Sequence, residues 1–258
     1  MNCRDFTGTL LALTLVLPVF VNGADSSTPA IPPQLHTARQ CLLVTAANWN
    51  STNGTLQVLE RAKAGATWQL RGAPHSVTLG KAGSAWGRGL VAFDRPGPTK
   101  KEGDKRAPAG VFRLGTVFGY ASASEAPPMK MPYLPLTAEV EGIDDPASKF
   151  YNRLVVRSRI AKPDWNSSEQ MRRSDVRYRW GILVEHNTPP IAGAGSCIFL
   201  HVWLNPGVTT VGCTAMDESV LREIIGWLDP KATPLLIQLP RGEFARVQQE
   251  WKLPASTH

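Results

Sequence analysis

The stretch from Gly195 to Met216 constrains this chain more than any other. Gly195-Ser196-Cys197-Ile198-Phe199-Leu200-His201-Val202-Trp203 alternates with the period of a strand. That period places Ile198, Leu200, Val202 and Leu204 on one face and Cys197, Phe199, His201 and Trp203 on the other. The aliphatic face predicts core, while the second face sets an imidazole among aromatic rings. A short loop follows, and Thr209-Thr210-Val211-Gly212-Cys213-Thr214-Ala215-Met216 then puts a cysteine directly behind a glycine. Only 11 residues separate His201 from Cys213, so a strand and its return loop suffice to bring them together. A cysteine nucleophile needs a base to make its thiolate, and His201 is the partner expected for Cys213. Gly212 permits a sharp turn whose N–H groups can hold an oxyanion, and Thr210 is placed to support the loop by hydrogen bonding. A helix is expected to begin about four residues later, where its N-terminus would lower the thiol pKa.

The rest of the chain is read around that pair. Its 258 residues allow one sizeable domain, and 22 Gly and 21 Pro against few helical patterns tilt it toward strands and turns. Residues 1–23 have the outline of a secretory signal peptide: Arg4, an apolar run from Leu10 to Val21, then small residues around Gly23. The run is short for a membrane span, so no stable membrane insertion is expected after cleavage. Losing Arg4 and Asp5 together leaves the formal charge of +7 unchanged. A basic exported protein suggests an anionic partner; no basic run interleaved with aromatics points to nucleic acid. Of four cysteines, Cys3 leaves with the signal. Cys41 and Cys197 can pair or stay reduced, and Cys213 is available either way.

Residues 24–39 read as a flexible leader, and 40–258 as a single catalytic domain. Strands are expected over 41–45, 55–61, 68–70, 76–79, 153–160 and 177–186, with a last buried strand at 234–239. Pro108-x-Gly110-x-Phe112 predicts a tight turn into a strand, and the charge run from Lys100 to Arg106 a solvated loop. The Pro-rich segment 121–149 is expected to form a lid or the flank of a groove. A short capped helix is expected over 165–173, started by Ser167 or Ser168. Another begins at Asp217-Glu218-Ser219, with Val220, Leu221, Ile224, Ile225 and Leu228 on one stripe, and a terminal helix spans 242–251.

Cys197, His201 and Cys213 together also suggest three ligands of a zinc site, but no Asp, Glu or further His stands nearby to orient one. Cys197 reads better as a buried neighbour. His186 ends a strand, either as a substrate group or as a satisfied strand-end histidine.

The motif text resembles the catalytic domain of the bacterial L,D-transpeptidases of the YkuD type, in the branch with His-x-Trp and Gly-Cys-x-Ala-Met. His201 matches the family's histidine, Cys213 its nucleophile, Gly212 its glycine and Thr210 its Ser/Thr position. Ala107-Pro108-Ala109-Gly110-Val111-Phe112 is similar to its Thr-Pro-x-Gly-x-Phe region. Val211 stands where most members have a second histidine, and Ala215-Met216 replaces an arginine-containing continuation. The resemblance implies a mainly β fold with a few short helices, a YkuD-like β-sandwich. It implies an exported enzyme of the periplasm or cell envelope that acts, as a monomer, on peptidoglycan stem peptides in wall organisation and cell shape. Cys213 would carry a thioester and transfer it to an amine, with backbone N–H groups at Gly212 and Cys213 on the oxyanion. No metal or organic cofactor is required. Trp203, Arg88, Lys101, Arg106 and His186 are the candidate substrate-binding residues. Alternatives are a carboxypeptidase or amidase on the same scaffold, a wall-binding protein without catalysis, and a cysteine protease or sortase.

Overall fold

The computed structural model describes residues 31–255 and Met1. The signal segment and most of the leader lie outside the described residues. Where the leader ends, Pro33–Thr37 forms a short helix (α1), and Leu35 is buried in the core beside Ala38. The Arg61 guanidinium donates to the Leu35 and His36 carbonyls and holds this segment against the body.

The first strands follow the alternation in the sequence: β1 (Gln40–Ala46), β2 (Asn53–Glu60), β3 (Gln69–Leu70), β4 (His75–Thr78) and β5 (Ser84–Trp86). The long β6 (Ala107–Gly119) runs through Pro108 and Gly110 without a break, so the expected turn is itself strand, with Gly110 at φ +148°. Segment 121–149 carries β7 (Tyr133–Pro135) and β8 (Val140–Gly142), followed by β9 (Leu154–Val156). The helix expected over 165–173 is absent. Its place is taken by turns and by β10 (Glu169–Gln170), which pairs with β8. The reason is polar: Trp165 Nε1 and the Ser168 hydroxyl both donate to Glu141, and the Asn166 amide donates to Asp145. Those side chains tie the segment to its neighbours instead of leaving it to cap a helix.

Next come β11 (Trp180–Val184), β12 (Phe199–Val202), β13 (Thr214–Met216) and β14 (Leu235–Pro240), with α2 (Glu218–Trp227) and α3 (Arg241–Gln248). Asp217 caps α2 by accepting from the Ser219 amide, and Leu221, Ile224 and Ile225 form its buried stripe. Eight strands, in the order β1, β14, β6, β11, β12, β13, β4 and β2, close into a ring because β2 also pairs with β1. The β1–β14 and β12–β13 pairs are parallel and the other pairs in the ring are antiparallel. Closure removes the unpaired edges that an open sheet would expose. The chain is therefore mainly β with few short helices, and its principal sheet is barrel-like.

Strand alternation divides the core. Leu42, Val44, Ile182, Leu200 and Val202 pack with the α2 stripe. Cys41, Leu43, Val111 and Ile237 pack with α3 on the other side of β1 and β14. A third cluster, containing Phe118, Tyr178, Cys197, Phe199 and Cys213 with Val140 and Met171, lies between β11–β12 and the small sheet β10–β8–β9. The chemistry expected from the sequence sits in that third cluster.

Candidate active site

The parallel pairing of β12 with β13 sets the site. Leu200 lies opposite Thr214, His201 opposite Ala215 and Val202 opposite Met216. Cys213, one residue ahead of β13, thus falls level with Phe199, whose amide donates to the Cys213 sulfur at 3.4 Å. His201 is two residues further on and so shares the face of Phe199. Cys213 and His201 line one cleft with Trp203 and Tyr178. The expected faces hold for Ile198, Leu200 and Val202 in the core and for Cys197 and Phe199 beside Cys213. Leu204 lies past the end of β12 and is exposed. Gly181, opposite His201 in β11, makes room below: a Cβ there would stand 2.2 Å from the Phe118 ring, which packs edge-on against Phe199 and Tyr178.

Thr210 closes the loop before the cysteine. Its hydroxyl donates to the Cys213 carbonyl at 2.6 Å and accepts from the Gly212 amide at 3.1 Å. Gly212 adopts φ +150°, and a Cβ there would come within 3.3 Å of the Arg106 carbonyl oxygen. One expectation changes here. The Gly212 N–H is already engaged by Thr210, so of the two amides expected to hold an oxyanion only that of Cys213 is left for the task.

Burial governs the electrostatics. His201 is 5% exposed, and desolvation lowers its pKa to about 4. Its Nδ1 lies 2.8 Å from the Val202 carbonyl, an acceptor only, so Nδ1 carries the proton and Nε2 is the free base. Burial, reinforced by the charge of Glu169, pushes the Cys213 thiol up to about 12, against the lowering effect of the Phe199 amide and Lys100. The expected help from a helix N-terminus is missing. Strand β13 intervenes, and the first turn of α2 is capped by Asp217. The resting pair is a neutral thiol and a neutral imidazole.

The other predicted positions separate. Trp203 lines the cleft. Arg88 is exposed, and its carbonyl serves the Asn187 amide. Lys101 is exposed at the surface of its loop, with its amide bound to Asp104. Arg106 is used for the fold: its guanidinium donates to the Trp49 and Ser84 carbonyls and to Asn50. His186 lies two residues past β11, buried against the Phe112 ring, with Nε2 3.0 Å from the Ala194 carbonyl, Nδ1 without a hydrogen-bond partner and a pKa lowered by burial to about 4; it is only half satisfied, and it does not line the cleft of Cys213. Cys41, Cys197 and Cys213 are all free thiols. Among the described residues no group of three or more His, Cys, Asp or Glu is arranged to hold a metal ion.

Three site residues have no signal in the sequence. Tyr178 packs its ring edge against His201 at 5.4 Å between centroids and donates its hydroxyl to Glu169 at 2.7 Å. Glu169 lies in the stretch read as a helix, and burial raises its pKa. Lys100, read as part of a solvated charge run, has a side chain only 4% exposed and donates to Asp104 at 2.6 Å. Segment 121–149 divides: Asp144, just after β8, reaches the pocket beside Cys213, whereas Pro127 and Pro128 line a separate pocket against α2.

The chain matches no family model, no curated protein and no solved structure.

Proposed function

We propose that this chain is an exported cysteine L,D-transpeptidase that remodels peptidoglycan by passing a stem peptide through a thioester on Cys213. The observation that carries this reading is the placement of His201 on β12 and of Cys213 at the entry to the adjacent parallel β13, both lining one cleft, with His201 Nε2 left as the base. The resemblance of the flanking motifs to the YkuD-type enzymes supplies the substrate class. On this reading the closed sheet is a variant of the YkuD-like sandwich, its two layers joined at both edges, and the wall-facing side of the envelope is its place of work.

In the first half-reaction the Cys213 proton moves to His201 Nε2 as sulfur attacks the carbonyl at the L-centre of the diamino-acid residue. The Cys213 N–H stabilises the oxyanion. The C–N bond then breaks, and His201 returns the proton to the leaving D-amino acid. In the second half an amine of a neighbouring stem attacks the thioester and loses its proton to His201. The C–S bond breaks and the thiol is regenerated. Because both resting partners are neutral, proton transfer accompanies attack and does not precede it.

Product analysis with muropeptides tests the reading. A cross-linked dimer and released D-amino acid are expected, both lost in Cys213→Ser. A tripeptide without dimer would make the enzyme a hydrolase, and an effect that survives Cys213→Ala would make it a wall-binding protein.

A further inference from the structure

Six of the described residues other than glycine hold a positive φ, and a single side chain joins three of them. Asn152 itself stands at φ +63°, Asn187 at +55° and Cys197 at +51°. Asn152 lies in the connection from β8 to β9, where its amide donates to the Ile143 carbonyl at 2.8 Å. Its Nδ2 donates to the His186 carbonyl at 2.8 Å and to the Asn187 carbonyl at 3.0 Å, and its Oδ1 accepts from the Cys197 amide at 2.9 Å. Both ends of the loop between β11 and β12 are thereby fastened to one amide group. Asn187, fully buried, laces the same loop from within by donating to the Ile191 and Gly195 carbonyls.

Asparagine tolerates the left-handed region, whereas cysteine stays there only when its surroundings impose it. The imposed conformation turns the Cys197 carbonyl toward the Cys213 sulfur, which donates to it at 3.7 Å, within reach for an atom of sulfur's radius. The Phe199 amide donates to the same sulfur. Both hydrogen bonds of the sulfur are therefore to main chain, and neither is to His201. The two act in opposite senses: an N–H on sulfur favours the thiolate, and a carbonyl that accepts the S–H favours the neutral thiol. They also depend on different parts of the fold. Phe199 is fixed by its pairing with Leu183 in the β11–β12 ladder, while Cys197 lies ahead of β12 and is fixed by Asn152.

We infer that Asn152 is a positioning residue of the site: through Cys197 it aims a main-chain carbonyl at the nucleophile, and the resting thiol proton is held toward that carbonyl instead of toward His201. The inference rests on the reading of Cys213 as the nucleophile. The first half-reaction then begins with the S–H turning about the Cβ–Sγ bond from the Cys197 carbonyl to His201 Nε2, and the thiol is quiet until that turn is made.

The S–H stretching band of Cys213, isolated by subtracting the infrared spectrum of Cys213→Ser, tests this without any substrate. Hydrogen bonding weakens the S–H bond, so the wild-type band is expected below the frequency of a free thiol in apolar solvent. Asn152→Gly keeps the backbone conformation accessible and removes only the side chain; the band should move up to the free-thiol position. Asn152→Asp, of the same size but unable to donate to the His186 and Asn187 carbonyls, should shift it the same way and serves where the glycine variant does not fold. Cys197→Ala keeps the carbonyl and should leave the band in place. Alkylation of Cys213 by iodoacetamide at neutral pH should rise about threefold in Asn152→Gly, the order expected for losing one weak hydrogen bond to the neutral thiol. A loop that is merely loosened would speed alkylation without moving the band. That result, a wild-type band at the free-thiol position, unchanged alkylation, or a band displaced as far by Cys197→Ala overturns the inference. A band that shifts as expected in a protein that forms no acyl adduct with a stem peptide would instead overturn the proposed function alone.

Discussion

The Phe199 amide points at the Cys213 sulfur from 3.4 Å and is the hydrogen-bond donor that the strand pairing brings to the nucleophile. A single amide does not offset burial, and the thiol stays protonated, pushed up to about 12. Alkylation of Cys213 by iodoacetamide should therefore rise about tenfold per pH unit from 6 to 10 without a plateau, because the thiolate fraction grows by that factor below its pKa. A plateau below pH 8 would mean a preformed thiolate.

Thr210 bonds to both sides of the nucleophile, through the Gly212 amide and the Cys213 carbonyl. Thr210→Val keeps the shape and removes both bonds. It should cost about 1–3 kcal/mol of stability and lower kcat more than it raises KM. Gly212→Ala forces a side chain onto φ +150° and toward the Arg106 carbonyl, with a cost of about 1–3 kcal/mol read by chemical denaturation.

His186 and His201 are both buried with pKa values lowered to about 4 from the usual 6.5. The unfolded chain binds protons there first, so their stabilising effect is present above pH 6.5 and is lost as pH falls toward 4. Between pH 7 and 5 the loss should be about 2 kcal/mol per imidazole. His186→Leu should make the unfolding free energy less steep over that interval by one such step, and an unchanged slope would contradict the assignment.

Arg106 binds three groups of the fold while Lys101 is exposed beside its loop. Arg106→Ala should lower the melting temperature, and Lys101→Ala should change neither the melting temperature nor KM. A rise in KM for Lys101→Ala would restore it to the substrate site.

What the sequence discloses is local. The alternation through Phe199 and His201, the glycine before Cys213 and the stripe of α2 are short-range patterns, and the structure places them as read. The residues that complete the site depend on long-range pairing. Glu169 reaches the cleft because β10 pairs with β8, a partner about 28 residues earlier in the chain that no period reveals. Lys100 looked like one of a run of solvated charges, yet its chain neighbour Asp104 turns it inward. The closed sheet likewise follows from the pairing of β1 with both β2 and β14, which lie at opposite ends of the described chain.

The most direct measurement of the central claim is the mass of the protein after brief exposure to a tetrapeptide stem ending in a D-amino acid. The account predicts an adduct equal to the tripeptide acyl group, located on Cys213 and absent in Cys213→Ser and His201→Ala. No adduct on the folded protein, or an adduct that persists in His201→Ala at the wild-type rate, would contradict it.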